Sequence, residues 1–163
     1  MSSLAKPMAQ RRRCKVFVDS NVLLSGLFSD RGAPRIILDL LALDLPVLAG
    51  ATGRYNLMEV ERNLKIKMPE ALSLYHDYLP RLGLEVVALP ARDTVRSMAG
   101  DIAEKDIPVL ASAIACGADY LITGDKKDFA GPKRSQQRYN LTIVSPSEFI
   151  ETVFPNIIRD TKD

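Results

Sequence analysis

The sequence contains little of the chemistry on which several common protein classes depend. It has no tryptophan, one histidine and two cysteines among 163 residues. Cys14 and Cys116 do not form a C-x-x-C pair, and together with His76 they lack the spacing of a zinc finger. These absences argue against a structural zinc site and a disulfide framework, and they predict free thiols in a reducing cytosol.

Long apolar runs and a strong excess of one charge are also missing. No apolar run approaches the length needed to cross a bilayer and no signal peptide is recognisable, so we expect a cytoplasmic protein without membrane association. The net charge is only +2. Lys6 and Arg11 to Arg13 precede the first predicted strand, which leaves 18 basic and 20 acidic residues in the remainder. The folded part is therefore not a basic module that coats DNA.

The rest of the sequence has the composition of one packed domain, with 47% hydrophobic residues. Short apolar runs alternate with segments of helical periodicity, which predicts an α/β fold: a three-layer α/β/α sandwich with a mostly parallel central sheet. We expect a flexible basic arm at 1–13, a single domain at 14–155 and a C-terminal tail at 156–163. Pro46 to Ala49 is predicted as the second strand, and Gly50 to Gly53 is predicted to break the pattern. Arg92 to about Glu104 and Ile107 to Ala115 are predicted as helices.

Four acidic residues stand where a plain scaffold would not need them. Asp19 ends the first buried strand, Asp125 follows the fourth, Asp106 precedes a helix, and Glu59 lies near the start of another helix. Carboxyl ends of parallel strands share one edge of a sheet, so we expect these acids to converge. Gathered carboxylates repel one another, and Mg2+ or Mn2+ would relieve the repulsion and activate a water. The pattern predicts metal-dependent phosphoryl chemistry on nucleic acid.

Each of these acids also has an ordinary structural explanation. Asp106 could simply cap its helix, and Glu59 could be a solvated acid like Glu61. Asp125 could be a turn residue, because Gly-Asp after a strand is common turn chemistry. Asp19 is the hardest to explain in this way, since an acid that ends a buried apolar strand usually needs a partner.

Four segments resemble the motifs of PIN-domain nucleases and occur in the order of that family. They are Val18 to Leu23 (V-D-S-N-V-L), Leu57 to Leu64 (L-M-E-V-E-R-N-L), Lys105 to Ala113 (K-D-I-P-V-L-A-S-A) and Gly117 to Asp125 (G-A-D-Y-L-I-T-G-D). The resemblance covers about Lys15 to Val153. One such motif alone would be a weak indication, whereas four in sequence are specific.

The resemblance implies a PIN-like fold and a ribonuclease that depends on Mg2+ or Mn2+. The residues implied as its catalytic metal ligands are Asp19, Glu59, Asp106 and Asp125. Asn21 would help to hold the site, and Thr123 would orient it through hydrogen bonds. In some members the fourth acid comes three residues later, which here is Asp128. Many such proteins are VapC-like toxins, so the resemblance also implies an RNA substrate, an antitoxin partner and a homodimer.

The sequence departs from the family pattern before its second acid. The family often places a serine shortly before that helix, and here Thr52 is the only candidate substitute. The basic N-terminal arm is also unusual for a compact toxin. Asp119, within the last motif, is implied either as a residue behind the ligands or as a contact at a helix end. None of these departures removes a proposed metal ligand.

A basic loop follows the fourth acid directly. Its candidate RNA-binding residues are Lys126, Lys127, Lys133, Arg134 and Arg138. A solvated loop is the usual explanation of such charge, but cations beside an anionic metal centre would contact phosphates that flank the scissile one. Aromatic residues are few, so we expect recognition of backbone and shape, with Tyr55 and Tyr139 as candidate exceptions. The basic arm could add non-specific affinity or be inert.

Two other functions fit parts of the pattern. A PIN-like module that binds RNA or protein without cutting would share the fold, although the presence of all four acids argues against it. An aspartate-based phosphatase would use Asp19 as its nucleophile or ligand. A haloacid-dehalogenase-like site would need a second aspartate two residues later, where this chain has Asn21.

Overall fold

A five-stranded parallel sheet with the order β3-β2-β1-β4-β5 organises the chain. The computed structural model describes residues 13–100, 102–129 and 140–161. The strands are β1 (Cys14–Val18), β2 (Leu48–Gly53), β3 (Glu85–Val87), β4 (Tyr120–Ile122) and β5 (Thr142–Val144). All four strand pairs are parallel, so the predicted α/β fold with a mostly parallel sheet is confirmed.

Helices connect the strands. They are α1 (Ser20–Phe28), α2 (Ala33–Ala42), α3 (Arg54–Lys67), α4 (Leu72–Tyr78), α5 (Arg92–Ser97), α6 (Ile107–Ala115), α7 (Pro146–Glu148) and α8 (Phe154–Asp160). Short 3-10 turns lie at Pro69–Ala71, Leu79–Leu82, Glu104–Asp106 and Lys126–Phe129, and a π-helical turn at Phe149–Val153 joins α7 to α8. Among the described residues, no helix has the length and apolarity that crossing a membrane requires.

The central strand β1 divides the apolar core into two layers. Its alternating side chains point to opposite faces of the sheet, as the strand geometry requires. Val16 and Val18 belong to a cluster that includes Leu23 of α1 and Leu38 of α2. Phe17 belongs to a separate cluster that includes Leu110 of α6. The sheet is therefore covered on both faces, as expected for parallel strands that are apolar along their whole length.

The prediction that Gly50 to Gly53 interrupts the second strand is wrong. β2 continues through this segment, and its Ala51 pairs with Phe17 of β1. Packing explains the glycine at the start of the segment: a Cβ on Gly50 would lie 2.7 Å from Leu84 Cδ2 and 2.8 Å from Leu41 Cδ2. A small residue lets the neighbouring elements approach the strand closely, and this requirement is invisible in local propensity.

Two helix boundaries also differ from the predictions. The helix expected from Arg92 to about Glu104 ends at Ser97, shortly before Gly100, which has a φ of +93°. That backbone conformation does not continue an α-helix. At the other end of the chain, α8 extends to Asp160, so much of the segment predicted as a C-terminal tail is helical.

Helices α1 and α2 pack closely at a glycine. A Cβ on Gly26 would lie 2.5 Å from Leu38 Cδ1 and 3.0 Å from the backbone oxygen of Pro34. Adding a methyl group to such a contact typically costs about 1–3 kcal/mol, because neighbouring side chains must leave their preferred rotamers. This contact fixes α1, which begins at the first predicted acid, against the rest of the core.

Candidate active site

Asp19 lies where β1 ends and α1 begins, at the centre of the carboxyl edge of the sheet. Its backbone N–H donates to the carbonyl of Ile122 in β4 (3.0 Å), and its own carbonyl accepts the N–H of Val22 in α1 (3.0 Å). Only 7% of the residue is exposed. The backbone of two elements thus fixes a buried carboxylate, which needs hydrogen-bond donors or a cation.

Three hydrogen bonds reach the Asp19 carboxylate. The hydroxyl of Thr123 donates to Oδ2 (2.7 Å). The backbone N–H of Ser20 and the side-chain Nδ2 of Asn56 both donate to Oδ1, at 2.8 and 3.0 Å. Burial nevertheless raises the pKa of Asp19 above its ordinary value, even though the Thr123 and Ser20 hydrogen bonds lower it. The negative charge is therefore only partly compensated by these donors.

The four predicted acids line one cavity of about 350 Å³, here called the acid-lined cavity. Asp19 comes from the β1–α1 junction, Glu59 from α3, Asp106 from the turn before α6, and Asp125 from the segment after β4. Burial raises the pKa of Glu59, and the Asp19 and Asp106 carboxylates raise it further. Burial also raises the pKa of Asp106, with a further contribution from Asp125. The structure thus brings together the four acids that the sequence singles out.

Asn21 and Thr123 hold Asp125 beside Asp19 through hydrogen bonds. The Asn21 amide donates from Nδ2 to Asp125 Oδ2 (2.8 Å) and accepts the backbone N–H of Gly124 at Oδ1 (2.9 Å). The Thr123 oxygen accepts the backbone N–H of Asp125 (3.1 Å) while its hydroxyl donates to Asp19. These are the contacts that the supporting roles predicted for both residues require.

Asp119 and Asp128, the other aspartates in or near the fourth motif, do not line the acid-lined cavity. Asp128 does not line it; its carboxylate is 3.6 Å from Lys105 Nζ, and its backbone N–H donates to the Asp125 carbonyl (2.9 Å). Asp125 is therefore the acid that meets the other three. Asp119 lies at the opposite end of the strands, where its Oδ2 accepts the backbone N–H of Lys15 (2.9 Å) and ties β4 to β1.

The cations at the cavity differ from those predicted in the basic loop. Arg62 and Lys105 are among its lining residues. Lys126 instead forms an ion pair with Glu148 of α7 (2.9 Å), and Lys127 does not line the cavity. The remaining candidates, Lys133, Arg134, Arg138 and Tyr139, lie outside the described residues, as do residues 1–12 of the basic arm. Their roles remain predictions.

A family model described as the PIN domain matches residues 15–127 of this sequence. The chain belongs to the PIN domain family. Members of this family are typically nucleases. The matched range contains all four acids of the cavity together with Asn21 and Thr123, so the resemblance seen in the four sequence motifs is confirmed at the level of the family. A search of curated proteins gives no match.

Solved structures share the fold of this PIN domain. VapBC2 from Rickettsia felis, bound to a DNA fragment from its promoter, has a TM-score of 0.57 and 20% sequence identity, and the match covers 80% of this chain and 98% of that one. FitAB bound to an IR36 DNA fragment has a TM-score of 0.56 and 15% identity, with 80% and 94% of the two chains covered. At these identities the likeness establishes the fold alone.

The donor set of the PIN domain fits a hydrated hard cation. Carboxylate oxygens are the ligands that Mg2+ and Mn2+ prefer. Asp106 Oδ2 is buried and has no hydrogen-bond partner among the described residues, so it is an acceptor that a cation or its water would satisfy. Within the described ranges, no three or more histidine, cysteine or acidic side chains are close enough to hold an ion by themselves. Mg2+ usually binds through one or two carboxylates and keeps several waters, so an open acidic cavity suits it.

Sequence reasoning missed Asn56, which is fully buried in the first turn of α3, three residues before Glu59. The only local signal was a polar amide on the apolar side of that helix. Thr52, the candidate substitute for the family serine, is also fully buried, but its hydroxyl donates to the carbonyl of Val18 (2.8 Å). Thr52 therefore stabilises the end of β1, while Asn56 reaches the Asp19 carboxylate itself.

Tyr55, which the sequence indicates as a candidate for base stacking, also lines the acid-lined cavity. Its hydroxyl donates to the carbonyl of Lys105 (3.2 Å), which connects the start of α3 to the turn before α6. Burial raises the pKa of the phenol, and the Glu59 carboxylate raises it further. Tyr55 thus remains a neutral donor beside the acids at physiological pH.

A second cavity, of about 420 Å³, lies at the opposite end of the strands. Four of its five charged lining residues form two ion pairs: Arg13 lies 3.4 Å from Asp44, and Lys15 lies 2.9 Å from Glu85. The fifth, Arg81, is a cation, so this cavity has no excess of negative charge. Exposed ion pairs of this kind contribute little and call for no ligand. The unbalanced negative charge is therefore at the acid-lined cavity.

Proposed function

We propose that this PIN domain is an endoribonuclease that depends on Mg2+ or Mn2+. The proposal rests on one observation: carboxylates from four separate segments line a single cavity. Burial and mutual repulsion raise the pKa values of Asp19, Glu59 and Asp106, the behaviour of a site in which four carboxylates outnumber the two cations, Arg62 and Lys105. A bound divalent cation would lower the pKa of a water and offset the charge that develops on the phosphate oxygens.

The residues of the cavity would have distinct tasks in this reaction. Asp19, Glu59, Asp106 and Asp125 would hold the hydrated cation, one or two of them directly and the others through its waters. Asp106 is also suited to accept the proton of the attacking water, because its Oδ2 has no partner among the described residues and its pKa is raised above the ordinary value. Asn21 would keep Asp125 in place through the 2.8 Å hydrogen bond. Tyr55 offers a flat ring at the cavity for a base of the strand.

The nuclease proposal predicts cleavage of single-stranded RNA only in the presence of metal. Purified protein is incubated with RNA labelled at both ends, in Mn2+, in Mg2+ and in EDTA, beside a DNA strand of the same sequence. We expect labelled fragments produced by cuts inside the RNA strand when metal is present, and no fragments in EDTA. Intact RNA in Mn2+ with folded protein would favour the non-catalytic binding module instead, and cleavage in EDTA would contradict the role of the cation.

The substrate would be held by Arg62 and Lys105, the cations that line the cavity. We expect Arg62→Ala to weaken RNA binding roughly threefold to tenfold and to reduce the salt dependence by about one phosphate contact. Lys65→Ala is the matched control, since Lys65 is on the same helix but, unlike Arg62, does not line the acid-lined cavity. Fluorescence anisotropy with Asp19→Asn as the background measures binding without cleavage. Equal losses in both lysine and arginine variants would indicate non-specific attraction only.

We further propose that the protein is the toxin of a toxin–antitoxin pair, with an antitoxin as its partner. The support is the resemblance of its motifs to VapC-like toxins and the fold it shares with VapBC2, a complex bound to promoter DNA. A neighbouring small gene that encodes a DNA-binding protein is the expected genomic sign. A homodimer and a cytoplasmic location belong to the same proposal.

A further inference from the structure

Asn56 contacts the central carboxylate of the site without lining the acid-lined cavity. Its Nδ2 donates to Asp19 Oδ1 (3.0 Å) and to Ser20 Oγ (3.0 Å). The Ser20 hydroxyl in turn donates to the backbone carbonyl of Asn56 (3.3 Å). Because Asn56 is fully buried, these bonds compete with no solvent, and they join the start of α3 to the start of α1.

These bonds use the acceptor capacity of Asp19 unevenly. A carboxylate offers about four acceptor positions, two on each oxygen. Oδ1 accepts two N–H groups, from the Ser20 backbone and from Asn56. Oδ2 accepts the hydroxyl of Thr123. The oxygen with spare capacity for a cation is therefore Oδ2.

We infer that Asn56 is a positioning residue that makes Asp19 bind a cation through one oxygen, and that it thereby favours Mg2+ over Ca2+. The inference rests on the proposed metal-dependent function. Mg2+ demands near-ideal octahedral geometry and takes single carboxylate oxygens, whereas the larger Ca2+ accepts both oxygens of one carboxylate. With Oδ1 occupied by Asn56 and Ser20, two-oxygen binding by Asp19 is blocked.

Gly53 provides an independent means of moving the Asn56 side chain. A Cβ on Gly53 would lie 2.7 Å from Asn56 Oδ1. The glycine has φ −99° and ψ 152°, a conformation that any residue adopts, so backbone strain does not require it. Gly53→Ala therefore displaces the amide while leaving every polar group of the site in the chain.

The test measures metal affinity directly. Free Mn2+ is counted by electron paramagnetic resonance, and its displacement by Mg2+ or by Ca2+ gives the preference between the two ions. Asn56→Leu removes the donor at similar volume, and Gly53→Ala shifts it. We expect Mn2+ affinity to fall roughly 10- to 100-fold in both variants, the usual effect of losing a partner behind a metal ligand, with a smaller Mg2+ preference over Ca2+. Gly50→Ala, an overpacked variant at the second cavity, at the opposite end of the strands from Asp19, controls for lost stability and should keep the wild-type preference.

The outcomes separate this inference from the nuclease proposal. Wild-type Mn2+ affinity and ion preference in Gly53→Ala and Asn56→Leu would overturn the role of Asn56, even if the protein cleaves RNA. A wild-type protein that binds Mn2+ with an Asn56-dependent preference but cuts no RNA would keep the inference and refute the nuclease. Absence of Mn2+ binding by the wild type would refute both. If Asn56→Leu does not fold, as circular dichroism will show, Gly53→Ala decides.

Discussion

Asp19→Asn is expected to lower metal-dependent RNA cleavage by about 10³-fold or more, because a bound cation supplies several kcal/mol of transition-state stabilisation and each 1.36 kcal/mol is a factor of ten. Asparagine keeps the shape of the side chain but removes the charge at the centre of the acid-lined cavity. The fold should persist, since the backbone bonds of residue 19 to β4 and α1 do not involve the side chain. Single-turnover cleavage in Mn2+ measures the loss.

The same variant should be at least as heat-stable as the wild type in EDTA. Burial raises the pKa of Asp19, so the charged carboxylate disfavours the folded state when no cation is present. Asp39→Asn is the control: this acid forms an exposed i,i+4 pair with Arg35 on α2 (3.1 Å), and its loss should leave cleavage unchanged. Wild-type cleavage by Asp19→Asn would remove Asp19 from the reaction.

Lowering the pH from 8 towards 4.5 is expected to stabilise the metal-free protein. The folded-state pKa values of Asp19, Glu59 and Asp106 are raised, so between an ordinary carboxyl pKa of about 4 and these raised values the folded chain keeps protons that the unfolded chain has lost. Stability from these groups is complete below the ordinary pKa and is lost as the pH rises through the raised ones. Acid therefore strengthens the fold in this window.

The size of the effect depends mainly on Asp19. One fully buried group contributes at most about 1.4 kcal/mol per pH unit within its window, or roughly 2–4 °C in Tm for a chain of this size. Glu59 and Asp106 are more exposed, so solvent screens their contributions. Glu148 acts in the opposite direction, because its hydrogen bond with Lys126 lowers its pKa. The stability that Glu148 contributes is lost only when the pH falls below its ordinary pKa of 4.5.

Melting curves in EDTA at pH 4.5, 5.5, 6.5 and 7.5 test this expectation. The wild type should show Tm falling as the pH rises, Asp19→Asn should show a flatter profile, and added Mn2+ should raise the wild-type Tm most at the alkaline end. Identical pH slopes in wild type and Asp19→Asn would mean that the buried carboxylate does not govern metal-free stability.

The sequence correctly predicted the structural features whose signal lies within a short stretch of neighbouring residues. The apolar run of β1 followed by Asp19 indicates a strand–helix junction by itself. Helix α6 has the predicted bounds, Ile107–Ala115, because Pro108 marks its first turn and Gly117, with φ +69°, marks its end. In each case neighbouring residues carry the whole signal.

Features that depend on distant residues were missed or wrong. Gly50 lies in a strand because Leu41 and Leu84 pack against it, not because of its own propensity. Asn56 contacts a carboxylate 37 positions earlier, and no local pattern distinguishes it from any other polar residue in a first helical turn. The ion pair of Lys126 with Glu148 was missed because it depends on a residue 22 positions later, while the role of Lys126 in RNA binding stays a prediction. Tertiary contacts determine all three features.

The centre of the site joins residues that are far apart in the sequence and are therefore synthesised at different times. Thr123 holds Asp19 across 104 positions, and the residue that follows Gly124 completes the acids. Pairing between strands that are this far apart in the sequence is slow, because the entropy cost of closing a long loop precedes the stabilising contacts. A ribosome that has released only the first two strands therefore presents Asp19 without the other three acids. The activity proposed here would appear only after residue 125 has been synthesised and β4 has paired with β1.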